Sequence, residues 1–261
     1  MSSTFIHPTA IVSPKAQLGV NVKIGPFTII NDDVIIGDNN EIRSSVYIDN
    51  GARIGSDNRI HSNVVIATEP QDLKYNNEQT FVEIGDRNVI REFATINRGT
   101  TSTYRAIVGS DNLIMTYCHI AHDCVLGNNI ILSNVVQLAG HVHIDDFAIL
   151  GGTAKVHQFC SIGKYAMVGG DVKVTKDIPP YTLVGENPPR IDGINRIGLK
   201  RRGFTSEQIN IIYDFYQTVV FSGYNTTDGL IKIKEKGNIP DYIQIAIDFI
   251  EKSNRGIYRG N

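Results

Sequence analysis

The stretch VGSDNLIMTYCHIAHDCVLGNNIILSNVVQL, residues 108–138, carries an aliphatic side chain at every sixth position. The position two residues before each of these is usually small or apolar, and glycine often follows directly. An α-helix repeats its faces about every 3.6 residues and a strand about every 2 residues, so neither element alone has this period. The stretch therefore predicts a repeat fold in which each unit is one short strand and one bend.

The same period extends along most of the chain. Aliphatic residues occupy every sixth position from Ile6 to Ile66, from Ile84 to Ile96, and without interruption from Val108 to Val174. Gly, Asn and Asp near the bends supply the backbone angles that a tight corner needs. Three sides of six residues close a triangular coil of 18 residues, and coils stack through parallel strands about 4.8 Å apart. We predict a mainly β protein with a parallel β-helix over residues 1–190.

Composition and charge exclude several functional classes. The chain has 261 residues, 41% of them hydrophobic, and a net charge of −2, which gives no indication of nucleic-acid binding. No apolar run approaches the roughly 20 residues of a membrane span, and the N-terminus lacks a signal-peptide pattern. Three cysteines fit a reducing compartment better than a disulfide framework. We expect a cytoplasmic protein without membrane insertion.

Two segments break the period, residues 67–83 and 97–107, and we predict both as loops that project from the solenoid. Loops on a rigid scaffold often carry binding residues, although either break can also be a tolerated surface insertion. After Val174 the chain continues as KDIPPYTLVGENPPR, where we expect the prolines to end both strand pairing and helix formation.

Residues 191–261 change to a helical pattern and predict a C-terminal α-helical domain. One helix has a start that resembles a capping box at Thr205–Gln208, and another has Pro240 at a first-turn position. Before them, GLKRRGF places three cations side by side at residues 200–202. Adjacent cations are most often solvated, but beside a cleft they suit phosphates or an acidic protein.

The motif HIAHDC, residues 119–124, contains two histidines, a carboxylate and a thiol. Its letters alone are compatible with a zinc site, a catalytic base with its orienting partner, or a piece of core. The period of six indicates that the thiols belong to the core, because all three cysteines fall on inward positions. We interpret them as small buried packing residues: Cys118, Cys124 and Cys160.

All seven histidines miss the inward positions, so we expect them on the outer surface of the coil. The length of the coil places Gly140, with its neighbour His141, one coil above His122. His157 lies near the same column one coil further along. We predict that His122, His141 and His157 form an outward column next to Asp123, and that this column is functional.

The motifs HIAHDC, QDLKY, AGHVHIDDFAILGG, VHQFC and GLKRRGF resemble, across the whole chain, the UDP-N-acetylglucosamine O-acyltransferases that begin lipid A synthesis in Gram-negative bacteria. The resemblance implies a left-handed parallel β-helix of hexapeptide repeats and a homotrimer. It implies transfer of a 3-hydroxyacyl chain from acyl carrier protein to the 3-hydroxyl of UDP-N-acetylglucosamine. No cofactor or metal is expected, since the thioester is already activated. The sequence departs from many relatives at Asn97, where they carry histidine.

The resemblance also assigns roles to residues. His122 would be the general base, Asp123 would orient its ring, and the Gly140 N–H would face the oxyanion. The residues that would hold the sugar nucleotide are Asp72, Lys74, His119, His141, His157 and Gln158, with Asn195, Arg201 and Arg202 from the neighbouring subunit. Gly170, with Met167 nearby, would mark the end of the acyl groove. Without a side chain at Gly170, the groove should accept about fourteen carbons or more.

Other interpretations remain open at the level of sequence. A related acyltransferase could use a 3-amino sugar nucleotide, and the next acyltransferase of the pathway differs by an N-terminal domain that is absent here. A γ-type carbonic anhydrase would use the histidine column to bind zinc, which a zinc assay would detect. A non-enzymatic β-helix scaffold would be unaffected by the loss of His122.

Overall fold

The computed structural model describes residues 4–260, and within them the chain up to Ile194 forms short strands in three sheets. The ends of the two predicted domains, residues 1–3 and residue 261, lie outside the described residues. Successive strands go to successive sheets, so the three sheets are the three faces of a coil. We number these faces in the order in which the chain first enters them.

The strands of each face share one direction over most of its length. The first face contains β1 (Phe5–Ile6), β4 (Lys23–Ile24), β7 (Glu41–Ile42), β10 (Arg59–Ile60), β13 (Val89–Ile90), β16 (Leu113–Ile114), β19 (Ile131–Leu132), β22 (Ile149–Leu150), β25 (Met167–Val168), β27 (Thr182–Gly185) and β28 (Arg190–Ile194). The second face contains β2 (Ile11–Val12), β5 (Ile29–Ile30), β8 (Tyr47–Ile48), β11 (Val65–Thr68), β14 (Thr95–Asn97), β17 (His119–Ile120), β20 (Gln137–Leu138), β23 (Lys155–Val156) and β26 (Lys173–Val174). The third face contains β3 (Gln17–Leu18), β6 (Val34–Ile36), β9 (Ala52–Ile54), β12 (Phe81–Ile84), β15 (Arg105–Val108), β18 (Val125–Leu126), β21 (His143–Ile144) and β24 (Ser161–Ile162).

The register of the strands confirms the predicted coil length. On the second face, for example, His119 pairs with Gln137 and Ile120 with Leu138. The coils are longer where the period breaks: the first break lengthens the steps from β9 to β12, from β10 to β13 and from β11 to β14, and the second lengthens those from β12 to β15, from β13 to β16 and from β14 to β17. The two predicted loops are therefore insertions between neighbouring strands. They occupy residues 69–80, between β11 and β12, and residues 98–104, between β14 and β15.

The core consists of the side chains at the inward positions, as the period predicts. From Val22 onward these residues are almost completely buried, and Ile24, Ile60 and Ile120 each have 0% exposure. Burying one such side chain stabilises the fold by about 1.5–3 kcal/mol relative to leaving it in water. The three cysteines are free thiols that are buried in this core, which confirms their interpretation. The side chains at the outward positions take no part in this core, so they can serve in binding or catalysis.

The proline-rich segment after Val174 does not end the sheet, contrary to expectation. Strand β27 continues the first face by pairing in parallel with β25, and β28 then adds an antiparallel strand. The prolines are compatible with this because none of them lies in a strand: Pro179 and Pro180 precede β27, and Pro188 and Pro189 form the turn before β28. Strand β28 spans the boundary that the sequence predicts at residue 190.

Four helices follow the last strand within the described residues: α1 (Arg196–Arg201), α2 (Ser206–Val219), α3 (Thr226–Glu235) and α4 (Asp241–Lys252). The capping box at the start of α2 is present, with Thr205 and Gln208 bonded reciprocally. Pro240 is the N-cap of α4 and lies one position before the first turn predicted for it. The Tyr216 hydroxyl donates to the Pro180 carbonyl at 2.6 Å and fixes α2 against the last coil. None of the described helices is long and apolar enough to cross a bilayer.

Candidate active site

The corner between the second and third faces carries the histidine motif. Strand β17 ends at Ile120 and β18 begins at Val125, so residues 121–124 make the bend. Asp123 has a φ of 59°, which turns the chain sharply without a glycine. The two residues at the centre of the bend point away from the core, and their neighbours Ala121 and Cys124 are buried. This geometry places His122 and Asp123 side by side.

His122 and Asp123 form a hydrogen-bonded pair. Nδ1 of His122 lies 2.7 Å from Oδ2 of Asp123, and the carboxylate side chain has 0% exposure. An ionised carboxylate can only accept, so Nδ1 donates the proton and Nε2 keeps its lone pair. The imidazole is 12% exposed in the single chain and thus remains accessible. The pair has the arrangement of a general base with an orienting acid.

The second loop also holds the carboxylate of Asp123, through hydrogen bonds from two of its threonines. The Thr100 N–H donates to Oδ1 at 3.0 Å, the Thr100 hydroxyl donates to Oδ2 at 2.7 Å, and the Thr103 hydroxyl also donates to Oδ1. Burial by itself would raise the pKa of Asp123, but the hydrogen bonds from His122, Thr103 and Thr100 outweigh it and hold the pKa well below its usual range. Neither threonine is predicted from the sequence, which indicates only the loop that contains them.

Gly140 lies directly over the imidazole, as the coil length predicts. A β-carbon added to Gly140 would stand 2.6 Å from Nε2 and 3.1 Å from Nδ1 of His122, so only glycine fits there. Within residues 4–260, the Gly140 N–H has no backbone acceptor. It therefore remains free to donate to an oxygen that forms beside the ring.

His141 completes the cluster, but His157 does not extend it as predicted. Nε2 of His141 lies 3.6 Å from Oδ2 of Asp123, and its ring meets that of His122 edge-on. The ring that stacks on His141 is Phe159, at 4.4 Å between centroids. His157 is exposed, with its Nδ1 3.3 Å from Nη2 of Arg255. The register explains the difference, because Phe159 lies one full coil after His141, whereas His157 falls short of that position.

Asp72 and Lys74 lie in the first loop, residues 69–80. The pKa of His141 is lowered mainly by burial, and the charge of Asp72 is among the influences that oppose this shift. The charge of Asp72 thus acts on His141, whereas the Lys74 side chain is exposed. Asn97 has a structural role here, because its amide donates to Thr68 Oγ1 at 3.0 Å and to the Glu69 carbonyl at 2.9 Å. These bonds attach the first loop to the coil.

His119 and Gln158, which are also predicted to hold the sugar nucleotide, differ in burial. The His119 ring lies on the second face, with Nδ1 2.7 Å from the hydroxyl of Thr95. Burial lowers the pKa of His119, and the nearby His122 lowers it further. Gln158 is exposed, one coil above Gly140, and its carbonyl lies 3.1 Å from Nδ1 of His157. Both residues lie next to the corner that carries the pair of His122 and Asp123.

Asn195, Arg201 and Arg202 lie at a different corner, between the third and first faces. The Arg202 guanidinium covers the ring of Phe147 at 4.8 Å, and Arg201 is exposed. Asn195 is 7% exposed and caps α1: its Oδ1 accepts from the Gly198 N–H and its amide donates to the Tyr165 carbonyl. The predicted contact of Asn195 with a substrate would require its polar atoms to leave these bonds. Its position therefore indicates support of the two arginines.

Met167 and Gly170 lie at the third corner, between the first and second faces. Met167 is partly buried in β25, and Gly170 follows this strand and is exposed. A β-carbon on Gly170 would meet only the backbone of Gly152, at 3.2 Å from its carbonyl oxygen. This distance is tighter than an ordinary van der Waals contact, so a side chain at this position would press on the Gly152 backbone. Within one chain, the structure does not bring Gly170 and the arginines to His122.

The histidine cluster also has the composition of a metal site. Ligand atoms of His122, Asp123 and His141 all lie within 4.8 Å of one another. However, both carboxylate oxygens of Asp123 already accept hydrogen bonds from Thr100, Thr103 or His122. A metal ion at this carboxylate would have to displace them. The donor set therefore fits proton transfer better than metal ligation.

Known proteins resemble this chain over nearly its whole length. Residues 177–258 match the family model of UDP N-acetylglucosamine O-acyltransferase, domain 2, and residues 15–50 match bacterial transferase hexapeptide (six repeats). The acyl-(acyl carrier protein)–UDP-N-acetylglucosamine O-acyltransferase of Janthinobacterium sp. (strain Marseille) is 52% identical, covering 98% of this chain and 100% of the relative. That of Aliivibrio fischeri (strain MJ11) is 51% identical, with 97% of each chain covered.

Solved structures agree with these sequence matches. The UDP-N-acetylglucosamine acyltransferase of Bacteroides fragilis superposes with a TM-score of 0.96 at 45% identity, over 98% of this chain and 100% of that one. That of Francisella novicida gives a TM-score of 0.95 at 42% identity, over 98% and 94%. The predicted fold class, a left-handed parallel β-helix of hexapeptide repeats with C-terminal helices, is confirmed.

Proposed function

This chain belongs to the UDP-N-acetylglucosamine O-acyltransferase family, and from that premise we propose that His122, Asp123 and Gly140 are its catalytic residues. The chain transfers an acyl group from acyl carrier protein to UDP-N-acetylglucosamine, a step of lipid A biosynthesis. The observation that carries the assignment is the orientation of the imidazole. Asp123 fixes Nδ1 as a donor and leaves Nε2 as a base beneath Gly140.

The reaction follows from this orientation. Nε2 of His122 removes the proton of the sugar 3-hydroxyl while the oxygen attacks the thioester carbonyl. The carbonyl oxygen becomes negative, and the free N–H of Gly140 donates to it. The carbon–sulfur bond then breaks, the thiolate of the carrier protein leaves, and the imidazolium returns the proton to that sulfur. Asp123 stabilises the imidazolium throughout and remains ionised.

The sugar nucleotide is held, in this proposal, by residues around the same corner. Asp72, whose charge acts on His141, and Lys74 of the same loop would contact it, together with His119, His141, His157 and Gln158 of the coil. The transferred chain is a long 3-hydroxyacyl group, and Gly170 with Met167 limits its length. The exposed position of Gly170 supports this, because no side chain there obstructs the groove.

A homotrimer would assemble these parts into one site. The catalytic pair, the arginines at residues 201 and 202, and Gly170 lie at three different corners of one chain. Three chains packed around a three-fold axis place one corner of each against another corner of its neighbour. We propose that Arg201 and Arg202 reach the diphosphate and uridine in this way, while Asn195 caps the helix that presents them.

Neither a metal nor a free coenzyme has a role in this mechanism, because the thioester supplies the activated acyl group. The saturated hydrogen bonding of Asp123 supports this proposal. Dialysis against a chelator should leave the rate unchanged and a zinc assay should find no stoichiometric metal. We also propose a cytoplasmic location, which is supported by three buried free thiols at Cys118, Cys124 and Cys160.

The decisive experiment incubates the protein with UDP-N-acetylglucosamine and a series of hydroxyacyl carrier proteins, and weighs the products. We expect one O-acylated sugar nucleotide, with long donors preferred. His122→Ala should remove activity by at least about 100-fold while melting and oligomeric state are retained. His143→Ala is the matched control, because His143 also pairs with an acid, Asp145, at 2.9 Å but lies on the third face. Retention of activity in His122→Ala would show that the base is a different residue.

A further inference from the structure

The second loop, residues 98–104, contacts functional elements at both of its ends. At its start, Arg98 donates to the Ala67 carbonyl at 2.8 Å and to the Tyr75 hydroxyl at 2.6 Å, and its side chain is only 12% exposed. These bonds fix the first loop, which carries Asp72 and Lys74. At its other end, the loop reaches the carboxylate of Asp123.

We propose that Thr100 and Thr103 are positioning residues of the catalytic pair. Together they present one backbone N–H and two hydroxyls to Asp123; the Thr103 hydroxyl also lies 2.9 Å from the Arg105 carbonyl, which competes for its one proton. The donors fix the plane of the carboxylate, so that Oδ2 faces Nδ1 of His122 at 2.7 Å. This inference rests on the proposed function, because it assumes that His122 is the base.

The need for such positioning follows from the second imidazole. Oδ2 of Asp123 lies between two rings, 2.7 Å from Nδ1 of His122 and 3.6 Å from Nε2 of His141. A carboxylate without fixed partners could turn about its side-chain bonds and accept from His141 instead. His122 would then lose the partner that fixes its tautomer. The two threonines thus select which histidine is oriented as the base.

The charge of Asp123 supports the same conclusion. The carboxylate side chain has 0% exposure, so it cannot be solvated by water. A buried charge requires hydrogen-bond donors, and those of the loop provide three. Because Thr100 also uses its backbone N–H, the shape of the loop matters as well as its side chains.

The test compares Thr103→Val, Thr103→Ser and Thr101→Val. Valine keeps the shape of threonine without its hydroxyl, serine keeps the hydroxyl, and Thr101 is an exposed residue of the same loop. Thr103→Val should lower kcat roughly 10- to 100-fold with KM for the sugar nucleotide within about 2-fold. Thr103→Ser should recover most of the rate, and Thr101→Val should match the unsubstituted protein. Equal rates for both valine variants would overturn the proposal.

A double-mutant cycle identifies the route of the effect. If Thr103 acts through Asp123, then Thr103→Val should cause no further loss in an Asp123→Ala background. A multiplicative loss would show a separate role and reject the positioning role. Melting curves of each variant establish that the comparison concerns folded protein. Thr100→Val, which keeps the backbone donation, should give a smaller loss than Thr103→Val combined with Thr100→Val.

A measurement without substrate separates this inference from the proposed function. The hydrogen-bonded Nδ1–H of His122 should give a downfield proton resonance in NMR spectra, which disappears in His122→Ala. We expect it to weaken or move in Thr103→Val and to persist in Thr103→Ser and Thr101→Val. An unchanged resonance in Thr103→Val would overturn the positioning role. Failure of the unsubstituted protein to transfer acyl groups would instead overturn the proposed function.

Discussion

The imidazole of His122 lies against the α-carbon of Gly140, one coil further along, so closely that no β-carbon fits between them. The two residues are separated by one coil of the chain and belong to the same corner. A base and an oxyanion donor are thereby held next to each other by the stacking of coils. The register of the coils sets the backbone positions of both residues, and the loop threonines then fix the ring through Asp123.

Gly140→Ala should therefore abolish catalysis without unfolding the protein. A methyl group would stand 2.6 Å from Nε2 and force the imidazole of His122 away from its position. We expect kcat to fall by at least about 100-fold, the contribution of a positioned general base. Gly152→Ala is the matched control for stability, because Gly152 precedes a corner residue in the same way and its β-carbon would meet only Asn134 O at 3.5 Å. Gly152→Ala should keep the melting temperature and the activity of the unsubstituted protein, and Gly140→Ala should still melt as a folded protein.

Gly170→Met should shift the enzyme towards shorter acyl donors. The β-carbon of the methionine would press on the Gly152 carbonyl at 3.2 Å, and the rest of its side chain would extend outward and shorten the groove. Each methylene that no longer enters costs about 0.8 kcal/mol, or about fourfold in preference. The measurement is a competition between long and short hydroxyacyl carrier proteins, run on both proteins. An unchanged preference would place the end of the groove elsewhere.

Arg201→Ala and Arg202→Ala should weaken binding of the sugar nucleotide more than catalysis. A cation that holds a diphosphate stabilises the ground state and the transition state alike, so the effect appears in KM. We expect KM to rise roughly 10- to 100-fold, which corresponds to the loss of a charged hydrogen bond. Arg196→Ala is the control, because Arg196 is on the same helix but covers Tyr213 at 4.5 Å. A fall in kcat at constant KM would contradict the assignment.

His119 should make the folded protein less stable as the pH falls. Burial holds the pKa of His119 in the folded state below that of an exposed imidazole, about 6.5. Below that pH the unfolded chain takes up a proton that the folded chain resists, so stability is lost until the pH has passed the folded pKa. Melting temperatures between about pH 8 and pH 5.5 should fall less in His119→Gln than in the unsubstituted protein. A pH dependence that is identical in His119→Gln and in the unsubstituted protein would contradict this assignment.

The sequence by itself determined the coil. The period of six specified which side chains of Val108–Val174 enter the core, and it removed Cys124 from the candidate catalytic residues. It also placed Gly140 over His122, because the coil length is fixed by the number of residues that closes one turn. This information is local, because each hexad buries side chains at the same two of its positions. The continuation of the sheet beyond Val174 escaped this reasoning because proline restricts a strand only where it occupies a paired position.

Only the tertiary structure decided which groups surround the catalytic pair. Thr100 and Thr103 lie more than a coil away from Asp123 in sequence, and their loop has no period from which their direction could be read. Likewise Phe159, and not His157, stacks on His141, because stacking joins residues that are one full coil apart. Contacts of this kind depend on the path of an inserted loop and on side-chain directions at a corner. Those are fixed by packing in three dimensions, which no single segment of sequence contains.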